Sequence, residues 1–432
     1  MSLNYGDYIM GGLAGHMSHL WEDLDITFKG LEEILSEVAE GTVDALEKFD
    51  GINIFFTLDS QSRPRFARNQ IHVEMGGLLK EEALKLFENH PARDQFVNGI
   101  HAICEINKLG WWSLGFARKN WVNTEIVYAT KPQTIKYSDN AIVFHEAIAL
   151  TPKGKQMGID LSEQFQKLVE YANNQRVVTN GQEWTFLGPQ QLFLENICGS
   201  GALTQALQNL KLIREAAGLD AEATLRDWAY VSLLNGTVGK IPISESRKER
   251  LAKLILDLHE GDRLVDIKKG LSKGVASIVS TVGAKKNRSK VMTQTMRPLE
   301  VVVAQLGAIA LEGQTSCLVD NPLAEVTRLC AEYESCVMLA ESTNDGWKMQ
   351  RLEMLNEYRD VMEMIGKMPP AMEGMVFERG QKKYKLTGAF GIFNQIVGVA
   401  RYGRGKIPPI ASDNALNEMK KQVAMIRGMG LI

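Results

Sequence analysis

Lys48-Phe49-Asp50-Gly51 places a primary amine at the end of a strand-like run, just before an Asp-Gly turn and a second strand-like run. A lysine amine is a nucleophile only when deprotonated, and burial or neighbouring cations lower its pKa toward neutrality. Lys383 and Lys385, in Lys382-Lys383-Tyr384-Lys385, are cations that would supply such a field. Further positions follow in order: Arg68 in RPRFARN, Glu125 in NTEIV, Phe144 in IVFHEAI, and Glu373-Gly374-Met375-Val376 ahead of the lysine pair. Taken singly, each has an ordinary structural explanation. KFDG is then a hairpin turn, Glu125 a solvated strand residue, Phe144 a core aromatic and the lysines an exposed basic edge strand.

The ordered set resembles the covalent nucleotidyltransferase superfamily of ATP-dependent DNA ligases, RNA ligases and mRNA capping enzymes. In that superfamily a KxDG lysine is followed by a basic residue one strand later, a glutamate, an aromatic residue, an EG-V-type glutamate and a KxK lysine pair. The chain looks closest to bacteriophage RNA-ligase-like proteins, also in GHMSHLWEDLDITFKGLEEIL ahead of the lysine. The resemblance implies an ATP-grasp-like ligase adenylation domain that uses ATP and Mg²⁺. Lys48 would attack the α-phosphate, expel pyrophosphate and carry AMP through a phosphoramidate bond, with Lys383 and Lys385 assisting. Glu47, Arg68, Glu125, Phe144, Lys383 and Lys385 would bind the nucleotide, Phe144 by stacking on adenine. Glu373 and Glu125 would face the metal, and Asp50 would shape the lysine turn. AMP would pass to a 5′-phosphate end that is joined to a 3′-hydroxyl, on RNA in preference to DNA. The alternatives are a DNA ligase and a catalytically degenerate phage protein that binds a nucleotide or nucleic acid.

The elements needed to hold these residues are legible in part. FKGLEEILSEVAEG (28–41) has apolar residues at Leu31, Ile34, Leu35 and Val38, a helical spacing, with Gly41 placed to end it. TVDALEKFDGINIFFTL, RPRFARN, WVNTEIVYA and NAIVFHEAIAL are short β-branched and aromatic runs and predict strands of one antiparallel or mixed sheet. From about residue 155 to 365 the spacing turns helical, as in SEQFQKLVEYANNQ, LTQALQNLKLIREAAG and ERLAKLILDLHEG and in runs at 322–341 and 349–366. EGMVFERGQKKYKLTG then predicts two strands turning at Gly380-Gln381. The fold class is α+β: a sheet domain from 1–154 and 366–410, interrupted by a mainly helical insert at 155–365 and followed by a helix at 411–432. SDNALNEMKKQVAMIRG reads as that helix, so a C-terminal OB-fold is not expected.

With 432 residues, 45% hydrophobic and 23% charged, the chain is long enough for a sizeable core and is not disordered throughout. Its net charge of −3 decides nothing about nucleic acid. Five cysteines without a CxxC pair suggest neither a disulfide framework nor a zinc ribbon. No apolar run is long enough for a membrane helix, so a cytoplasmic protein without a membrane partner is expected. Lys268 to Lys290 carries seven basic residues and no acidic one, among them Lys285, Lys286, Arg288 and Lys290; it is either a nucleic-acid contact or a mobile loop. His16 and His19 with Glu22 and Asp23 read as a structural N-terminal element rather than a metal cluster, and the basic 401–406 loop as a solvated tail or a phosphate contact.

Overall fold

The structure, a computed structural model, describes residues 17–90, 92–108, 110, 120–130, 135, 137–173, 175–257, 263–312, 314–319, 372–380 and 382–387. The helices expected at 322–341, 349–366 and 411–432, the 401–406 loop and His16 lie outside these residues.

A short strand, β1 (Ser18–His19), and a 3₁₀ turn (Leu20–Glu22) lead into α1 (Phe28–Glu40). This helix forms where the periodicity places it. Leu31, Ile34, Leu35 and Val38 are buried, Thr27 Oγ1 accepts from Gly30 N at 3.0 Å, and Gly41 ends the helix at φ +69°. Strands β2 (Ala45–Lys48), β3 (Ile52–Leu58) and β4 (Pro64–Ala67) follow, then helices α2 (Gln70–Glu74), α3 (Lys80–Leu86) and α4 (Arg93–Lys108). Strands β5 (Asn120–Val127) and β6 (Asn140–Ala149) precede α5 (Ser162–Asn173) and the strands β7 (Arg176–Thr179), β8 (Gln182–Leu187) and β9 (Gln191–Leu192). Helices α6 (Ala202–Ala216), α7 (Leu225–Asn235), α8 (Glu245–Ile255), α9 (Leu264–Lys268), α10 (Lys273–Gly283) and α11 (Lys285–Ala310) come next. The hairpin of β10 (Gly374–Arg379) and β11 (Lys382–Leu386) closes the described chain.

The molecule is α+β, as expected, but its strands form two mixed sheets instead of one. A five-stranded sheet has the order β1-β11-β10-β2-β9, with β1 parallel to β11; a six-stranded sheet has the order β4-β3-β5-β6-β8-β7, with β6 parallel to β8. The split falls at Asp50-Gly51. Lys48, the last residue of β2, pairs with Gly374 in the first sheet, while Ile52, the first of β3, pairs with Ile126 in the second. Gly51 passes so close to β5 that a Cβ there would lie 2.6 Å from Glu125 Cγ and 2.7 Å from the Ile126 carbonyl oxygen. Gly374 is as tightly confined, since a Cβ would overlap the Leu386 carbonyl oxygen and sit 2.8 Å from Thr387 Cα.

Residues 176–192 also differ from the expectation of a helical insert beginning near 155, while α5 forms as expected. After α5, the strands β7 and β8 extend the six-stranded sheet and β9 the five-stranded one. Asn180 and Gly181 take left-handed φ of 53° and 74°, and Thr179 pairs with Gln182. That is the two-residue hairpin that Asn-Gly favours, so the consecutive run of helices begins only at α6. The helices form two layers. Ala45, Met375, Phe377, Tyr384 and Leu386 of the five-stranded sheet pack on α1, α6 and α11, while Ile54, Phe56, Val122, Ile126, Ile142 and Phe144 of the other sheet pack on α4 and α5.

Both glycines are therefore steric requirements. Gly374→Ala should lower stability by about 1–3 kcal/mol, because the methyl can be admitted only by prising β10 from β11. Urea unfolding reads this out, and an unchanged midpoint would mean that the strand pair yields freely.

Candidate active site between the two sheets

Side chains alternate across a strand, and this alternation decides which candidates reach the junction of the sheets. On β2, Leu46 and Lys48 point one way while Ala45 and Glu47 point into the helix-covered core. The register carries the first face outward: Lys48 lies beside Gly374, and Leu46, Val376 and Lys385 lie abreast across three strands. Glu373, immediately before β10, lies against Lys48, with Nζ 2.5 Å from Oε1 and side chains only 21% and 13% exposed.

Burial would lower the Lys48 pKa, but the charges of Glu373, Glu125 and Asp50 outweigh it and raise the ammonium above its ordinary value. This corrects the expectation of a lysine activated by cationic neighbours. Burial pushes the Glu373 carboxyl up to about 7, and Asp50 and Glu125 add to the rise against the pull of Lys48. Three acids thus surround one ammonium. Asp50 holds the turn: its N–H donates to Tyr137 Oη at 2.6 Å and its carboxylate accepts from Ile135 N at 3.0 Å.

The two lysines of β11 have separate environments. Lys385 is half-buried, and its ammonium makes no hydrogen bond or ion pair among the described residues. Burial and the charge of Lys48 lower its pKa, against Glu22 and Glu373. Lys383 points to the same face but pairs with Glu146 Oε2 at 2.5 Å and Glu378 Oε1 at 3.3 Å. Burial opposes those pairings and is outweighed, so its pKa is raised. Lys383 is consequently a tie between the sheets and not a source of field at Lys48.

Glu125 projects from β5 onto this face, 3.4 Å from His145 Nε2. Its charge reaches both Lys48 and Arg68. Arg68 lies just past β4, its guanidinium 4.9 Å above the Phe96 ring and its Nη1 3.3 Å from His90 Nε2. Burial and the nearby Arg68 lower the His90 pKa, which keeps that imidazole neutral and able to accept.

Two candidates lie elsewhere. Phe144, expected to stack on adenine, is 1% exposed and packs between Phe56 and Phe186 in the core behind the sheet. Glu47, expected to bind nucleotide, faces the opposite side of β2 from Lys48 and is 4% exposed. It accepts from Ser316 Oγ and from Cys317 N, and burial raises its pKa against those two bonds. Glu47 thereby holds the 314–319 segment, whose Leu318 packs with Phe49 and Tyr137.

Sequence reasoning also missed a set of polar residues. The register of β5 and β6 shifts between Asn123 and Thr124, which pair with Glu146 and Phe144 and leave His145 as the extra residue of a bulge. His145 and Glu146 consequently both face the junction, where His145 approaches Glu125 and Glu146 accepts from Asn123 Nδ2 at 3.2 Å and from Lys383. Asn53 Nδ2 donates to Asn123 Oδ1 at 2.6 Å and completes this polar row. Asn53 and Asn123 sit on strands otherwise rich in apolar residues, and that contrast was the available sequence signal.

The basic segment runs from the end of α9 through a turn and the whole of α10 into the start of α11, and Arg288 within it pairs with Asp257 at 2.7 Å. Asp23 accepts from Lys382 Nζ at 2.7 Å and Tyr384 Oη at 2.8 Å, tying the N-terminal element to β11. Among the described residues no group of three or more His, Cys, Asp or Glu side chains is arranged to hold a metal ion, and no helix is long and apolar enough to cross a membrane.

No protein-family model matches the chain, and no curated protein matches it in sequence.

The raised carboxyl makes a pH prediction. The folded pKa of Glu373, about 7, exceeds its ordinary 4.5, so the folded state binds the extra proton between those values. The stability contributed is full below about 4.5 and is lost as pH rises through about 7. The stability of the wild type relative to Glu373→Gln should therefore fall from pH 5 to pH 8, as compared by urea unfolding; a pH-independent difference would contradict the raised carboxyl.

Proposed function

We propose that this protein is an ATP-dependent nucleotidyltransferase that adenylates itself on Lys48, of the polynucleotide-ligase type, with RNA ends as the preferred acceptor. The observation that carries the reading is the pairing of Lys48 with Glu373 at the ends of adjacent strands. It joins the two motifs that the resemblance singles out, and each is followed by a glycine that admits no side chain.

In the first step the Nζ lone pair forms a bond to the α-phosphorus. The bridging P–O bond to the β-phosphate breaks, and pyrophosphate leaves with that electron pair. Glu373, 2.5 Å from Nζ and raised to about 7, is placed to take the amine's proton. Lys385, held without a partner among the described residues, is placed for the phosphate charge, and Arg68 for a phosphate or the ribose edge. His145 takes the role first given to Phe144, because it follows that buried ring on β6 and alternation turns it to the opposite face, beside Glu125. Glu373 and Glu125, whose charges both reach the Lys48 ammonium, are the carboxylates that would hold Mg²⁺, an ion that takes one or two protein carboxylates. Bound there, Mg²⁺ would neutralise phosphate charge. The activated AMP would then pass to a 5′-phosphate for joining to a 3′-hydroxyl.

The raised Lys48 pKa favours a second reading, a protein that binds ATP without attacking it. One assay separates the two. Intact-mass spectrometry after incubation with ATP and Mg²⁺ should show a gain of one AMP, mapped to Lys48 and absent from Lys48→Ala. An adduct that persists in the variant would remove Lys48 as the nucleophile, and ATP binding with no adduct would select the second reading.

The exchange of Phe144 for His145 is testable by itself. His145→Ala should weaken ATP binding about tenfold, in keeping with the loss of one ring contact. Phe144→Ala should cost about 3–5 kcal/mol of stability, as for a buried phenylalanine. Calorimetric titration and urea unfolding measure the two, and a reversed pattern would restore Phe144 to the site.

A further inference from the structure

The helical region carries a surface that the Lys48 chemistry leaves unused. Between Lys268 and Lys290 there are seven basic residues and no acidic one, in a chain of net charge −3. Arg288 is engaged internally: Nη1 meets Asp257 Oδ1 at 2.7 Å and Nε donates to the Gly283 carbonyl at 3.0 Å, closing the corner between α10 and α11. The six lysines differ from it. Lys269, Lys273, Lys285, Lys286 and Lys290 are exposed and Lys268 is half-buried, and none has an ion pair or ammonium hydrogen bond among the described residues.

They form two groups separated by α10, whose 11 residues span about 16 Å. Lys268, Lys269 and Lys273 stand at its start, and Lys285, Lys286 and Lys290 beyond its end. Between them α10 turns Gly274, Ser277, Ile278 and Thr281 outward, a stripe at helical spacing made mainly of small and hydroxyl-bearing residues. Lysine ammoniums and serine or threonine hydroxyls are the groups that contact phosphate oxygens. A face built to enter a lipid surface presents a row of bulky apolar residues, and on α10 only Ile278 is both large, apolar and exposed.

We propose that this face binds the sugar-phosphate backbone of a polynucleotide. Its place follows from α11, whose 26 residues span about 39 Å. At Gly307 this helix packs against Leu386 of β11, so the lysine end stands about 30 Å along the helix from that contact. The meaning of that distance rests on the ligase reading: the surface holds the body of a strand whose end lies at Lys48, and it does not touch the reacting groups.

The test measures binding without ATP, so it stands or falls apart from self-adenylation. Fluorescence anisotropy would follow RNA and DNA of about 24 nucleotides, at salt from about 50 to about 300 mM. Two triple variants are compared: Lys285→Gln, Lys286→Gln, Lys290→Gln, and a control of equal charge change, Lys153→Gln, Lys155→Gln, Lys167→Gln. The first should lower affinity at least tenfold and reduce the slope of log K against log salt by about 2. The control should bind like the wild type, and circular-dichroism melting checks that both fold. Loss with RNA alone identifies RNA, and loss with both identifies the shared backbone. An unchanged slope, an equal loss in the control, or wild-type binding to anionic phosphatidylserine vesicles but not to polynucleotide would overturn the proposal.

Discussion

The ion pair of Lys48 with Glu373, between neighbouring strands of the five-stranded sheet, is the contact on which the candidate site turns. It joins the end of β2 to the start of β10 at the place where the chain leaves one sheet for the other. Partly buried charges lose hydration, and that loss is offset only when partners are close and well placed. Here the placement is made by backbone. Gly51 lets the chain pass flush against β5, bringing Glu125 toward the ammonium, and Gly374 lets β10 lie flush against β11, bringing Lys385 onto the same face.

The groups around that pair shift one another unevenly. Glu373, Glu125 and Asp50 raise the Lys48 ammonium above its ordinary value, while burial, with Asp50 and Glu125 adding to it, pushes the Glu373 carboxyl up to about 7. Lys383 takes no part, being committed to Glu146 and Glu378. The free protein therefore keeps its candidate nucleophile protonated. A ligand that brought a cation to those carboxylates would weaken their hold on the ammonium and lower its pKa.

Much of this was legible in the sequence, and the failures have physical causes. The strands about Lys48, Arg68, Glu125, Glu373 and Lys385 were each visible as β-branched runs between turn residues, and α1 as a helical period with its glycine stop. Division into two sheets was not legible, because Lys48 and Ile52 stand only a few residues apart and local pattern does not name a strand's partner. The β7–β8 hairpin was lost among helical neighbours although Asn180-Gly181 marked it. The placement of Glu47 followed from alternation alone, since its neighbour was assigned to the site. The exchange of Phe144 for His145 turns on which face of β6 is buried, and the apolar run before it does not show that; the bulge, which depends on the register of the partner strand, adds only Glu146 to the same face.

Glu47 and Lys48 give β2 an unusual kind of error protection. Glu47 is fastened beneath the sheet to Ser316 and Cys317, while Lys48 is fastened above it to Glu373. A shift of β2 by a single position would place an ammonium where the buried carboxylate accepts hydrogen bonds and a carboxylate among the acids of the cleft. Both exchanges bring like charges or unmatched donors together, so the two faces reject the same slip independently. The Lys48 amine is thus kept in phase by the residue beside it, which faces away from the cleft.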